Sequence, residues 1–149
     1  MNYIDKAIDL SIENVINNEG GPFGAVIVRD NKIVSVGKNQ VTKNNDPTAH
    51  AEVIAIRNAC RKLNTPFLEN CSIYSSCEPC PMCYGAIKWS KIKKIYYCNT
   101  RKQAKEIGFD DQLIYDNIIN NTQNMYKLDS GKGITAFDIW KNSQIKLEY

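Results

Sequence analysis

Thr48-Ala49-His50-Ala51-Glu52 and Glu78-Pro79-Cys80-Pro81-Met82-Cys83 are the two stretches that decide how this chain folds. His50 is its only histidine. One histidine with two cysteines is a ligand set that holds zinc through three protein atoms and leaves a fourth position open for water. Cys80 and Cys83 stand three apart at the expected start of a helix, so they share one face and both sulfurs can reach one ion. Pro79 or Pro81 suits a first helical turn, where no amide hydrogen is required, and the positive end of the helix dipole favours thiolate over thiol. Working outward, 47–63 reads as a helix with His50 near its start and Ala55, Ile56, Ala59 and Leu63 along an apolar stripe. Two helix starts are therefore expected to converge on one ion. Glu52, two residues beyond the histidine, is placed to carry protons.

Two other readings use the same residues. Cys77, Cys80, Cys83 and His50 would make a closed Cys₃His structural zinc site in a binding module without turnover. An iron–sulfur cluster would need a further cysteine from elsewhere. Against the closed site, Cys77 is expected to end a strand, and Pro79 turns the chain before the helix begins.

At 149 residues the chain fits one domain, 1–149, long enough to bury a core without disulfides. The first residues lack a basic leader followed by an apolar run, and no apolar stretch is long enough to span a bilayer, so a cytoplasmic protein without membrane contact is expected. Cys60, Cys71, Cys77 and Cys98 then read as small buried thiols. The net charge of +3 names no partner. Lys88, Lys91, Lys93, Lys94, Arg101, Lys102 and Lys105 do occur without an acid among them. Their favoured reading is a solvated edge around the strand beginning at Lys94, where lysines discourage sheet-to-sheet association; a nucleic-acid face is the alternative.

Helical spacing of Ile4, Ala7, Ile8, Leu10, Ser11, Ile12 and Val15 predicts a helix over 3–17, stopped by Gly20-Gly21-Pro22. Residues 23–29 and 32–36 read as strands joined by a tight turn at Asp30-Asn31. Strands over 71–75 and 92–98 flank a helix over 80–90, giving the order α-β-β-α-β-α-β. Helices over 112–120 and 135–145 and a weak strand over 125–128 are expected beyond. The fold class that follows is three-layer α/β/α with a mixed sheet of about five strands, the metal-bearing helix starts meeting at the strand ends. Gly20-Gly21-Pro22-Phe23-Gly24 lacks phosphate-loop spacing.

The pattern His-x-Glu followed by Pro-Cys-x-x-Cys is a zinc deaminase signature. Gly-Gly-Pro-Phe-Gly-Ala-Val-Ile-Val at 20–28, Asn-Asp-Pro-Thr-Ala-His-Ala-Glu-Val at 45–53, Ser-Cys-Glu-Pro-Cys-Pro-Met-Cys at 76–83, Gly-Phe-Asp-Asp at 108–111 and the terminal Glu148-Tyr149 extend the match. The chain resembles the cytidine deaminase-like superfamily and is especially similar to the bacterial guanine deaminases, almost end to end. The middle two segments are shared with tRNA adenosine deaminases; Gly108 to Asp111 and the terminal tyrosine point to guanine.

The resemblance implies hydrolytic deamination of guanine to xanthine and ammonia. One Zn²⁺ per subunit would be held by His50, Cys80 and Cys83, with Glu52 as proton shuttle and Asp111 as a second active-site carboxylate. Phe23 would stack on the base, Asn39 would bond its imidazole edge, and Ala51 and Trp89 would complete the pocket. It also implies a homodimer in which a C-terminal segment, 130–149, crosses to the partner and Tyr149 closes the partner's pocket. Each role has a plainer counterpart: Phe23 as a core residue, Asn39 as a turn residue, Trp89 as an ordinary helix end, Asp110-Asp111 as a helix cap, and Tyr149 as a frayed terminus. The basic stretch 99–105 departs from the family and keeps tRNA adenosine deamination as the runner-up.

Overall fold

Gly24-Ala25-Val26-Ile27-Val28-Arg29 is a strand whose alternate side chains are buried on opposite sides, and that double burial sets the architecture. The computed structural model describes residues 2–120, 125–128, 130, 132–145 and 148. In chain order the elements are α1 (Tyr3–Ile16), β1 (Gly24–Arg29), β2 (Lys32–Lys38), α2 (Val41–Asn44), α3 (Ala51–Leu63), β3 (Cys71–Cys77), α4 (Pro81–Trp89), β4 (Lys94–Asn99), α5 (Arg101–Glu106), α6 (Gln112–Ile119) and α7 (Thr135–Asn142). Ala25 and Ile27 pack with Ala51, Ala55, Ile73 and Ile87, whereas Val26 and Val28 pack with Ala7 and Leu10. Because successive strand residues point to opposite faces, one apolar strand supplies two core layers. α1 covers one face of the sheet, α3 and α4 the other.

The sheet order is β2-β1-β3-β4. β1 runs antiparallel to β2 and to β3, while β3 and β4 run parallel, joined by a crossover through α4. Asp30 and Asn31 both take positive φ, 49° and 57°, as the primed two-residue hairpin turn requires. The sequence expectation of a mixed α/β/α sandwich is met.

Four differences have physical causes. Among the described residues the sheet has four strands and not about five, since 125–128 carry no regular structure and Leu128 is 88% exposed, with no neighbouring strand to pair. The helix expected from 47 begins only at Ala51. Asp46 accepts hydrogen bonds from the Thr48 amide (2.8 Å) and hydroxyl (2.7 Å), which holds a turn there and leaves His50 extended at φ −67°, ψ 155°. Cys98 is exposed, because β4 is an edge strand exposed along most of its length. Helix α5 was not foreseen, although Thr100 and Gln103 form a capping box that starts it. Among the described residues no helix is long and apolar enough to cross a membrane.

Gly37, near the end of β2, lets α3 settle on the sheet: a Cβ there would run into the Ala51 carbonyl and stand 2.6 Å from the Ala55 amide. Gly37→Ala should therefore destabilise the fold by about 1–3 kcal/mol, the usual range for overpacking, and lower metal retention as the start of α3 shifts. Urea unfolding together with a zinc assay on the folded protein checks both.

Candidate active site

The strands deliver chemistry to one end of the sheet. Phe23 precedes β1, Asn39 follows β2, Glu78 to Cys80 follow β3, and Arg101 follows β4. The paired positions Gly24↔Lys38, Ala25↔Ser75 and Cys77↔Asn99 bring these ends level.

Over this end meet the starts of α3 and α4, with His50 and Cys80 as their N-cap residues and Pro81 opening α4. Cys80 Sγ lies 3.6 Å and Cys83 Sγ 3.4 Å from His50 Nδ1. Zinc–sulfur and zinc–nitrogen bonds at tetrahedral angles set such a separation at about 3.6 Å, so the three donors fit one ion. They are the only group among the described residues whose metal-binding atoms cluster within 4.8 Å. Cys77, the extra member of the closed Cys₃His reading, is not in that group; its sulfur turns toward the Thr100 carbonyl, 3.7 Å away. Burial, and next the charge of Glu52, push its thiol up to about 11. Cys80 moves the other way, to about 4, chiefly through the hydrogen bond from Cys83 and then through His50. Cys83 moves up, chiefly through its hydrogen bond to Cys80 and then through burial.

Glu52 sits in the first turn of α3, buried, accepting from the Ser75 hydroxyl at 3.0 Å and from the Cys83 thiol at 3.4 Å. Burial raises its pKa above the ordinary glutamate value. A buried carboxyl with a raised pKa beside a metal-ligand cluster is suited to taking and returning a proton near neutral pH.

A cavity of about 470 Å³ opens above, with His50, Glu52 and Cys80 at one end and Phe23, Asn39 and Asp111 among its walls. Asn39 Oδ1 accepts from the backbone amides of Gly21 (3.4 Å) and Val41 (3.2 Å), which leaves its NH₂ group as a donor. Asp111 Oδ1 accepts from Arg101 Nε (3.2 Å) and Nη2 (3.1 Å), and the guanidinium lies 3.7 Å from the centroid of the Tyr115 ring.

A family model, the cytidine and deoxycytidylate deaminase zinc-binding region, matches residues 1–99. The chain belongs to that family. Guanine deaminase of Bacillus subtilis is 44% identical over 99% of this chain and 97% of its own length. An X-ray structure of that protein superposes with a TM-score of 0.93 at 45% identity, covering 99% of this chain and 96% of the other. A tRNA-specific adenosine deaminase of Aquifex aeolicus is 49% identical, but over 51% of this chain and 50% of its own length.

Among the expected site residues of this deaminase-family chain, His50, Glu52, Cys80, Phe23, Asn39 and Asp111 line the one cavity, and Cys83 is buried beside it. Ala51 does not line it: it is fully buried, its carbonyl packed over Gly37. Trp89 does not line it either, standing 64% exposed at the far end of α4. Tyr149 lies outside the described residues. Of the Asp110-Asp111 pair expected to cap a helix, Asp111 takes the N-cap position of α6 but its side chain makes no cap bond; Asp110 accepts from the Gln112 amide at 3.0 Å, and both residues line the cavity.

Three further residues, Phe109, Ser75 and Arg101, take part without being expected at the site; Arg101 is expected instead on a solvated basic edge. Phe109 lines the cavity and meets Phe23 edge-on, ring centroids 4.9 Å apart. It is turned inward by Gly108 at φ 99°, where a Schellman motif closes α5 through Phe109 N–H to Ala104 (3.0 Å) and Gly108 N–H to Lys105 (3.0 Å). Ser75 on Glu52 and Arg101 on Asp111 are tertiary pairings; only the Thr100–Gln103 capping box could have marked the helix that carries Arg101.

Cys83→Ser should strip the protein of zinc, whereas Cys77→Ser should retain it within about a factor of two, because one sulfur faces the cluster and the other does not. Metal analysis of the purified variants decides; equal loss from both would restore the closed four-ligand reading.

Proposed function

We propose that this chain hydrolyses guanine to xanthine and ammonia, with one zinc ion per subunit held by His50, Cys80 and Cys83. The observation that carries the reading is Glu52, buried beside those three donors at one end of a cavity whose walls also hold Asn39 and Asp111. The full-length similarity to a guanine deaminase selects guanine among the bases. When bound, zinc supplies Lewis-acid activation of water near neutral pH. Glu52 takes a proton from the water that attacks the amino-bearing ring carbon and gives it to a ring nitrogen. Glu52 then takes the proton left on the added hydroxyl and passes it to the amine, directly or through Asp111, and the carbon–nitrogen bond breaks to release ammonia and leave the carbonyl of xanthine. Phe23 supplies a face for the purine, Asn39 donates from Nδ2 to the acceptor nitrogen of its imidazole edge, and Asp111 accepts from its exocyclic amine. Ser75 holds one Glu52 oxygen, which aims the other at the cluster.

Adenosine in tRNA remains an arm of the test and not the favoured substrate. Two cations of the basic stretch are already engaged, Arg101 with Asp111 and Lys105 with Asp110 at 3.2 Å. A cytoplasmic setting fits the thiol-rich site.

We further propose that the subunit pairs with a second copy and exchanges its C-terminal segment, Tyr149 closing the partner's pocket. Support comes from α6 and α7, which leave Leu113, Ile119, Phe137 and Ile139 each more than two-thirds exposed. Apolar side chains displayed at this density on two short helices call for a covering partner.

Glu52→Gln is expected to keep zinc and lose ~10²–10⁴-fold in turnover, the usual contribution of a general acid–base group. Ammonia release from bases, nucleosides and tRNA by zinc-loaded protein, parent and variant, is the measurement. Parental rates in the variant would remove Glu52 from the mechanism. Inosine formation in tRNA with salt-sensitive binding, and no release from guanine, would replace the substrate.

The exchange is read separately. Mixing subunits lacking Glu148-Tyr149 with Glu52→Gln subunits should restore activity that neither parent has, since one pocket then joins an intact Glu52 to an intact tail. Verified mixed dimers without recovery would reject the crossing.

A further inference from the structure

Asn14 stands on α1, outside the cavity and wholly buried, yet it touches two of the segments that form the cavity wall. Its Nδ2 donates to the carbonyl of Gly21 at 2.8 Å and to the carbonyl of Asn39 at 2.9 Å. Its own Oδ1 is buried, with no hydrogen-bond partner among the described residues. A side chain chosen only to stabilise this spot would not leave an acceptor unmatched, because that costs folding free energy. What the placement does achieve is a rigid tie. Both amide hydrogens of Asn14 are committed to main-chain atoms on either side of the Asn39 side chain.

Asn39 is held by the same segments. Its Oδ1 accepts from the amides of Gly21 and Val41, so the direction of its free Nδ2 depends on where the backbones of Gly21 and Asn39 sit. Gly20 is part of the same arrangement: a Cβ there would collide with the Asn39 carbonyl and lie 3.1 Å from Asn14 Nδ2. Gly21, Phe23, Asn39 and Val41 all line the cavity.

We propose that Asn14 is a positioning residue for base recognition: by pinning the carbonyls of Gly21 and Asn39 to α1, it sets the direction in which Asn39 presents its amide donor to the purine. The inference rests on the guanine reading and adds to it a residue that never touches the base. A tie that only stabilised the loop would weaken every substrate alike. A tie that aims one donor matters only for substrates carrying the matching acceptor.

The test compares guanine with 7-deazaguanine, in which a carbon replaces the acceptor nitrogen of the imidazole edge, using zinc-loaded full-length protein. Asn14→Leu keeps much of the volume and removes both donors. It should raise KM for guanine by about tenfold, the equivalent of one well-aligned hydrogen bond, with kcat changed by less than about twofold. KM for the deaza analogue, or its Ki where it is not turned over, should stay within about twofold, so the preference for guanine collapses. Gly20→Ala crowds the Asn39 carbonyl and Asn14 Nδ2 together while leaving the Asn14 side chain in place, so it disturbs the same tie and should show the same split; it decides alone if Asn14→Leu does not fold. Equal losses on both bases, or no loss on either, would overturn the role. A parent protein that does not distinguish the two bases would overturn it as well. A parent that releases no ammonia from guanine would instead overturn the substrate reading itself.

Discussion

The meeting of two helix N-termini over one end of a four-stranded sheet is the constraint on which the rest depends. His50 and Cys80 cap α3 and α4, and Cys83 follows one turn into the second helix. Helix starts carry unpaired amide hydrogens and a partial positive charge, which favour thiolate sulfur and a nearby carboxylate. Bringing two of them together needs close approach of backbone to backbone, and Gly37 under the start of α3 permits it. The sheet makes the meeting repeatable: β1 is buried on both faces and fixes the register of β2 and β3, whose far ends then carry Asn39 and Cys77 to the same level.

Into that setting the fold places a buried carboxyl. Burial raises the Glu52 pKa, a state that disfavours the anion and is tolerated because the Ser75 hydroxyl donates to the carboxyl. A glutamate exposed on the helix surface would remain ionised and return protons poorly near neutral pH. In the proposed role of proton carrier, the burial that suits Glu52 to the task is also what costs folding free energy.

The cavity wall opposite the metal-ligand cluster is assembled from another part of the chain and by other means. α5 ends in a Schellman turn whose glycine sends Phe109 against Phe23 and brings Asp111 to the cavity, where Arg101 holds one of its oxygens. Here the structure depends on turn geometry and one ion pair more than on core burial, for α5 and α6 contribute no buried residue.

The chemistry at His50, Glu52, Cys80 and Cys83 was legible in the chain itself, because it is local: ligands near helix starts, at fixed spacings, with prolines marking one of the turns. The order of strands and helices was legible for the same reason, each being a periodic pattern within a few residues. The Asx turn at Asp46 that shortens α3, the strand count and the exposure of Cys98 were not, since each depends on what a segment meets and not on what it contains. Sequence by itself determined the His-Cys-Cys ligand set and the deaminase class. Tertiary structure alone decided that Asp111 meets Arg101 at the cavity wall, that Trp89 and Ala51 lie off that wall, and that Asn14 ties the Asn39 loop to a distant helix. Contacts between residues far apart in the chain leave no spacing to read; they exist only once the sheet has brought its strand ends level.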